Sequence, residues 1–130
     1  MRKIYLAGGI NGLSDADAKD WRARASEALR AAGFEILDPM SRDYRGKEVG
    51  NAIEIVENDL RDIEQCFGVL AMCERPSWGT AMEIRFMFDQ RTPVHAVCSS
   101  ASPSPWLVYH CAALYPTLDA AISGLVASLG

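Results

Sequence analysis

No stretch of this 130-residue chain comes near the ~18–20 consecutive apolar residues that a membrane-spanning helix needs, so no membrane partner is expected. The N-terminal run Met1-Arg2-Lys3-Ile4-Tyr5-Leu6-Ala7 stops at Gly8-Gly9 without the longer apolar core of a secretory leader. Cysteine is sparse and scattered. Cys66, Cys73, Cys98 and Cys111 form no C-x-x-C pair, which predicts neither a zinc site nor a disulfide framework. These absences together predict a reducing, cytoplasmic compartment. Only two histidines are present, His95 and His110, both in apolar surroundings, and structural or peripheral roles are expected of them rather than metal ligation. Basic residues are in the minority: 13 Lys and Arg against 17 Asp and Glu give a net charge of −4, which argues against a nucleic-acid polymer as partner. A single nucleotide remains within reach, because a few local donors suffice for one phosphate. Internal repeats and low-complexity tracts are absent as well.

What remains has the balance of a soluble globule, with 49% apolar and 23% charged residues. The length suits one domain over residues 1–130, burying roughly two thirds of its unfolded surface. Strand and helix signals alternate along it. Ile4 to Ala7 reads as a buried strand stopped by glycines. Ser14 with Asp17 resembles a capping box, and Ala18, Trp21, Ala25, Ala28, Leu29 and Ala32 recur at helical spacing up to a stop at Gly33. Phe34 to Leu37 is a second strand. Residues 40–49 form a polar loop that concentrates Arg42, Arg45 and Lys47, and a helix from Asn51 to Gln65 follows with an apolar stripe at Ile53, Val56, Leu60 and Ile63. Phe67 to Met72 is a third strand, Pro76 to Gly79 a turn, Thr80 to Gln90 a helix, and Val94 to Val97 a fourth strand. A stiff loop at Ser99 to Pro105, a short strand near Cys111 to Tyr115, and a helix from Leu118 to Leu129 capped by Thr117 complete the pattern.

Five mainly parallel strands alternating with helices predict a three-layer α/β fold, a flavodoxin-like or Rossmann-like doubly wound sheet. Ligands of such sheets sit beyond the carboxyl ends of the strands, where strand order reverses. That rule nominates Gly8 to Gly12, the 38–47 loop, Cys73 to Gly79 and the Ser99 to Pro105 loop. In Gly8-Gly9-Ile10-Asn11-Gly12 the glycines allow backbone amides to approach a ligand, although the spacing is not the dinucleotide fingerprint and a plain tight turn reads equally well. Glu83 follows a Pro-Ser-Trp-Gly turn and is expected near the first turn of the next helix, where the dipole favours an ionised carboxylate. A positioned carboxylate is the nucleophile that retaining glycosyl transfer needs, but a helix-start glutamate placed for the dipole alone fits the same spacing. Asp59 lies beside the apolar stripe of the second helix, so it is either partnered or functional. Asp62 and Glu64 lie further round and read as ordinary solvated positions, with Asp62 also able to border the same site.

Three blocks carry a resemblance: Ile4-Tyr5-Leu6-Ala7-Gly8-Gly9, then Asn58-Asp59-Leu60 with Ile63 and the Phe67 to Ala71 strand, then Ser77-Trp78-Gly79-Thr80-Ala81-Met82-Glu83-Ile84. In this order and spacing the chain resembles the nucleoside 2-deoxyribosyltransferase superfamily, which includes 2′-deoxynucleoside 5′-monophosphate N-glycosidases and CMP-type nucleotide hydrolases. The resemblance covers most of the chain and implies an enzyme that cleaves the N-glycosidic bond of a nucleoside or nucleotide through a covalent glycosyl–glutamate intermediate. It implies Glu83 as nucleophile, Asp59 as the group that binds the sugar hydroxyl or base and assists proton transfer, and Tyr5 as the residue that orients the nucleophile. Gly8 and Gly9 would give the sugar or phosphate access to backbone amides, Ser77 and Gly79 would line the 5′ side, and Ile10, Trp21 and Met82 would border the base. No cofactor or metal is implied. The family resemblance also implies a homodimer or larger homo-oligomer, in which the loop Ser99 to Trp106 of a neighbour, with Ser104 or Ser102, completes the pocket.

Two positions bear on the acceptor. Ser77 stands where the transferases usually carry Asp and the monophosphate hydrolases Ser, which tilts the expectation slightly toward hydrolysis of a nucleotide. Asn11 stands where the hydrolases often carry Arg; Arg42 and Arg45 are the nearby cations able to substitute, and both also read as solvated surface residues. Base exchange by a deoxyribosyltransferase remains the alternative. A phosphoribohydrolase of the cytokinin-activating type shares Gly-Thr-x-x-Glu but matches poorly at Pro76-Ser77-Trp78. A non-catalytic nucleotide-binding module is the third possibility, and the joint presence of Tyr5, Asp59 and Glu83 weighs against it.

Overall fold

A computed structural model describes residues 2–129 of the chain. Its elements are β1 (Lys3–Gly8), α1 (Asp15–Ala31), β2 (Glu35–Leu37), a short 3-10 turn (Pro39–Arg42), α2 (Ala52–Glu64), β3 (Gly68–Met72), α3 (Trp78–Asp89), β4 (Val94–Val97), α4 (Pro105–His110), β5 (Ala113–Tyr115) and α5 (Leu118–Leu129). All strand pairs are parallel, in the order β2-β1-β3-β4-β5. This is the expected three-layer, flavodoxin-like arrangement. The order reverses between β1 and β3, so their carboxyl ends, Gly8 beside Met72, open the crevice where a ligand can sit.

Alternation along β1 assigns its side chains to the two layers. Ile4 and Leu6 join Ala25, Leu29, Leu70, Val97 and Leu125 in the core between the sheet and α1 and α5. Tyr5 and Ala7 join Ile63, Val69, Ala71, Ile84 and Met87 in the core on the α2 and α3 side. The caps follow the sequence. Ser14 Oγ accepts from Asp17 N at 3.2 Å at the start of α1, and Gly33 takes a left-handed φ of +95° after it, where a side chain would be strained. Thr117 Oγ1 accepts from Ala120 N at 3.1 Å at the start of α5.

Four expectations are corrected. The α2 stripe is buried only at its C-terminal end: Ile63 is fully buried and Leu60 partly, while Ile53 and Val56 are 75% and 52% exposed. The expected polar loop at 40–49 begins inside a 3-10 turn, Pro39–Arg42, capped by Asp38, whose Oδ1 accepts from Met40 N at 2.9 Å. Pro105 to His110, between the expected loop and strand, is helical, with Ser104 Oγ accepting from Trp106 N at 3.2 Å as its cap. Finally, α3 begins at Trp78 rather than Thr80, with Ser77 as its cap. Among the described residues no helix is long and apolar enough to cross a membrane.

Candidate active site

Tyr5 is fully buried in the central strand, and its phenol Oη donates to Glu83 Oε2 at 2.6 Å. Strand β1 aims Tyr5 at the α3 layer, while the Ser77 cap sets the register of α3. Ser77 Oγ accepts from Thr80 N at 3.3 Å, and helical turns then place Glu83 over the phenol. Glu83 therefore lies in the second turn of α3, not the first, and the helix dipole, which fades within the first turn, is not its main partner. Its electrostatics differ accordingly from the sequence expectation. Burial of the carboxyl group raises its pKa from the ordinary glutamate range to about 7, opposed by the Tyr5 hydrogen bond, reinforced by the nearby Asp59 carboxylate and opposed again by Arg22. Burial and the Glu83 and Asp59 charges hold the Tyr5 phenol far above its usual value, so Tyr5 stays a hydrogen-bond donor.

Asp59, on the inner side of α2, is raised by its own burial and lowered by Arg42, its nearest cation. Arg42 Nη2 reaches Asp59 Oδ1 at 3.3 Å and Asp62 Oδ2 at 2.7 Å. Asp62 is thus a paired residue with only 16% of its side chain exposed, not the solvated position expected of it. Glu64 is exposed as expected. Arg45 is also engaged: its guanidinium holds Asp43, Asp15 at 2.5 Å and the Leu13 carbonyl at 3.1 Å, tying the loop before α2 to the start of α1.

Sequence reasoning missed Arg22, the largest fully buried side chain. Its guanidinium donates to the carbonyls of Leu6 and Gly8 at 3.0 and 2.9 Å and pairs with Asp38 at 2.7 Å. The signal was available, since position 22 falls on the buried face of α1 between Ala18 and Ala25. Arg22 grips the end of β1, and its side chain packs under Gly8 together with Trp21. A Cβ on Gly8 would stand 2.6 Å from Trp21 Cζ2, so this close approach requires glycine.

Gly9 is less crowded. A Cβ there would meet Leu13 at 3.5 Å and Ser77 at 3.8 Å, which brings the first glycine turn and the start of α3 side by side. Gly79 faces open space. A cavity of about 300 Å³ opens beside Gly9 on the α1 side, with Leu13, Trp21, Met72 and Arg75 in its walls; Glu83, Asp59 and Tyr5 do not line it. Of the remaining expected residues, Ile10 is partly buried, Asn11 is exposed, and Met82 is 69% exposed on α3 next to Glu83. Ser104 is exposed and occupied in capping α4. His95 lies between Tyr115 Oη (2.9 Å) and Ser128 Oγ (3.2 Å), and His110 donates from Nδ1 to the Trp106 carbonyl at 2.7 Å. Among the described residues no group of three or more His, Cys, Asp or Glu side chains is placed to hold a metal ion.

Fold and site together describe a flavodoxin-like α/β domain with a tyrosine-bound, part-buried carboxylate on the α2–α3 side of its sheet. Residues 4–123 match the family model for nucleoside 2-deoxyribosyltransferases, and the chain belongs to that family. Solved structures of similar fold include a 2-deoxyribosyltransferase from Bacillus psychrosaccharolyticus, with a TM-score of 0.72 at 19% identity over 91% of this chain and 88% of that one. The 2-deoxyribosyltransferase of Leishmania mexicana has a TM-score of 0.71 at 14% identity over 98% of each chain. A CMP N-glycosidase, BcmB, from Clostridium botulinum has a TM-score of 0.63 at 15% identity over 95% of this chain and 98% of that one. No curated protein matches the sequence.

Proposed function

We propose that the protein cleaves the N-glycosidic bond of a nucleoside or nucleoside 5′-monophosphate with Glu83 as nucleophile. The observation that carries this reading is the 2.6 Å hydrogen bond from the buried Tyr5 to Glu83 on the α2–α3 side of the sheet, with Asp59 close enough to influence both. Ionised Glu83 attacks the anomeric carbon. The carbon–nitrogen bond breaks, its electron pair stays with the base nitrogen, and a proton conveyed by Asp59 neutralises the departing base. Water, giving one proton back to Asp59, then attacks the anomeric carbon and opens the glycosyl ester, returning the Glu83 carboxylate and releasing free sugar or sugar phosphate. Tyr5 orients the carboxylate and disperses its charge, and Gly8, Gly9, Ser77 and Gly79 line the sugar and its 5′ end. The Ser77 hydroxyl accepts from Thr80 N and keeps its own proton for a substrate oxygen, which supports hydrolysis of a nucleotide.

Base exchange on an unphosphorylated nucleoside is the second reading. It is favoured by the engagement of Arg42 and Arg45 with carboxylates, which leaves neither free for a phosphate. A homodimer or larger assembly is part of the proposal, with the Ser99 to Trp106 segment and Ser104 completing a neighbour's pocket. Exposed apolar side chains on α3 and α4 support it: Trp78 (86%), Met82, Trp106 (74%) and Tyr109. Incubating each nucleoside or monophosphate with a different free base and separating the products distinguishes the reactions. A new nucleoside marks transfer, and free sugar or sugar phosphate marks hydrolysis. Glu83→Gln abolishes both. Binding without base release after long incubation contradicts the enzymatic reading and leaves a nucleotide-binding module.

A further inference from the structure

Arg42 ends the Pro39–Arg42 turn, and that turn is pinned at its other end. Asp38 Oδ1 accepts from Met40 N at 2.9 Å and from the buried Arg22 at 2.7 Å, and Arg22 in turn grips the carbonyls of Leu6 and Gly8 on the strand that carries Tyr5. One run of contacts therefore extends from the Tyr5 strand through Arg22, Asp38 and Arg42 to Asp59. At its end, a single nitrogen of Arg42 is shared between Asp62, at 2.7 Å, and Asp59, at 3.3 Å. The shorter contact makes Asp62 the anchor. A substrate phosphate approaching this guanidinium would have to compete with two carboxylates already in place. It would also meet their negative charge.

We propose that Arg42 is a positioning residue: anchored by Asp62, it fixes one oxygen of the Asp59 carboxyl group and leaves the other to the substrate, and it does not bind phosphate. The inference rests on the proposed function for the meaning of Asp59, but its geometry does not depend on which substrate is used. Asp59 faces Arg42 from the 3-10 turn, Asp62 from its own helix, Glu83 from α3, Tyr5 from β1, Arg22 from α1 and Tyr44 from the loop before α2. Burial favours the protonated acid and Arg42 opposes it, with the balance above the ordinary aspartate range. Without Arg42 the carboxyl group keeps its proton to higher pH and loses its fixed orientation.

The test compares Arg42→Gln, Arg42→Lys and Asp62→Asn with the wild-type protein, on a nucleoside and on its 5′-monophosphate. Arg42→Gln is expected to lower kcat about tenfold or more on both substrates, the size of a lost charge-assisted hydrogen bond. The ratio of the two KM values stays unchanged, and the limb of the pH profile governed by Asp59 moves to higher pH. Arg42→Lys restores part of kcat, and Asp62→Asn shows a weaker form of the same defect. A selective rise in KM for the monophosphate with kcat and pH profile intact overturns the proposal in favour of phosphate binding. No change in any parameter overturns it in favour of a surface ion pair. Carbon-13 NMR titration of the Asp59 carboxyl group separates this inference from the enzymatic one. In folded Arg42→Gln it titrates at higher pH than in the wild type even if no substrate is turned over, and an unmoved titration refutes the role of Arg42.

Discussion

Replacing Tyr5 by Phe removes one hydroxyl from a fully buried ring and, with it, the 2.6 Å hydrogen bond to Glu83. The bond stabilises the ionised form of a carboxyl group whose pKa burial has already raised to about 7. A hydrogen bond to a charged group is worth about 1.5–3 kcal/mol, and each ~1.4 kcal/mol is tenfold in an equilibrium or a rate. Tyr5→Phe therefore pushes Glu83 above 7, and in acid solution the ionised nucleophile becomes about tenfold scarcer or more. The defect has a sign and a window. It is largest at and below pH 7, where the wild-type carboxylate is partly ionised and that of the variant is almost wholly protonated. It shrinks above pH 9, as the carboxyl group of the variant ionises in turn, and the loss that remains on the alkaline plateau measures orientation alone. The assay is kcat/KM for base release from about two pH units below the wild-type value to about four above it, with a thermal melt to confirm the fold. An acid limb at the same pH in both proteins, or a loss equal at every pH, refutes the hydrogen bond as the device that keeps Glu83 ionised.

The two adjacent glycines should separate folding from binding. Gly8→Ala places a Cβ 2.6 Å from Trp21 and is expected to cost about 1–3 kcal/mol in urea melts, whereas Gly9→Ala should leave stability within about 0.5 kcal/mol and raise KM; equal stability of the two variants contradicts the packing argument. Asp38→Ala leaves Arg22, 2% exposed, without its counter-charge, and a loss of about 3 kcal/mol is expected; a loss below about 1 kcal/mol would show that the Leu6 and Gly8 carbonyls suffice. Burial lowers the pKa of His95, so below the ordinary histidine value of about 6.5 the unfolded chain binds a proton that the folded chain resists. That contribution to stability is complete above this value and is lost as the pH falls below it. The melting temperature should accordingly drop more between pH 7 and 5 in the wild type than in His95→Gln, and parallel decreases contradict this.

The parts of this fold that were legible in the sequence are those where local and tertiary signals agree. Ile4 to Ala7 and Val94 to Val97 are apolar runs between breakers and are central strands, and Ser14, Gly33 and Thr117 cap helices where their chemistry suggests. Periodicity misled in α2, because spacing alone cannot say whether a partner surface exists within the chain, and Ile53 and Val56 face outward. The Pro105 helix was hidden by a run of serines and prolines that reads as a loop, although Ser104-Pro105 is also a sound helix start. At the site, the pairing of Tyr5 with Glu83 came from the family resemblance, since residues 78 positions apart carry no local signal of contact. Arg22 was passed over because a charged residue in an amphipathic helix is ordinarily solvated; only the free carbonyls at the end of β1 and the Asp38 carboxylate make its burial favourable.

Glu83, as the proposed nucleophile, is expected to form a covalent bond with the sugar. A nucleoside whose 2′ position carries fluorine slows the second half-reaction, because the electron-withdrawing substituent opposes positive charge at the anomeric carbon. Mass spectrometry of the protein after incubation with such a substrate should show the added mass of the sugar, and peptide mapping should place it on Glu83. Base release without any adduct, or an adduct on another residue, would contradict the assignment.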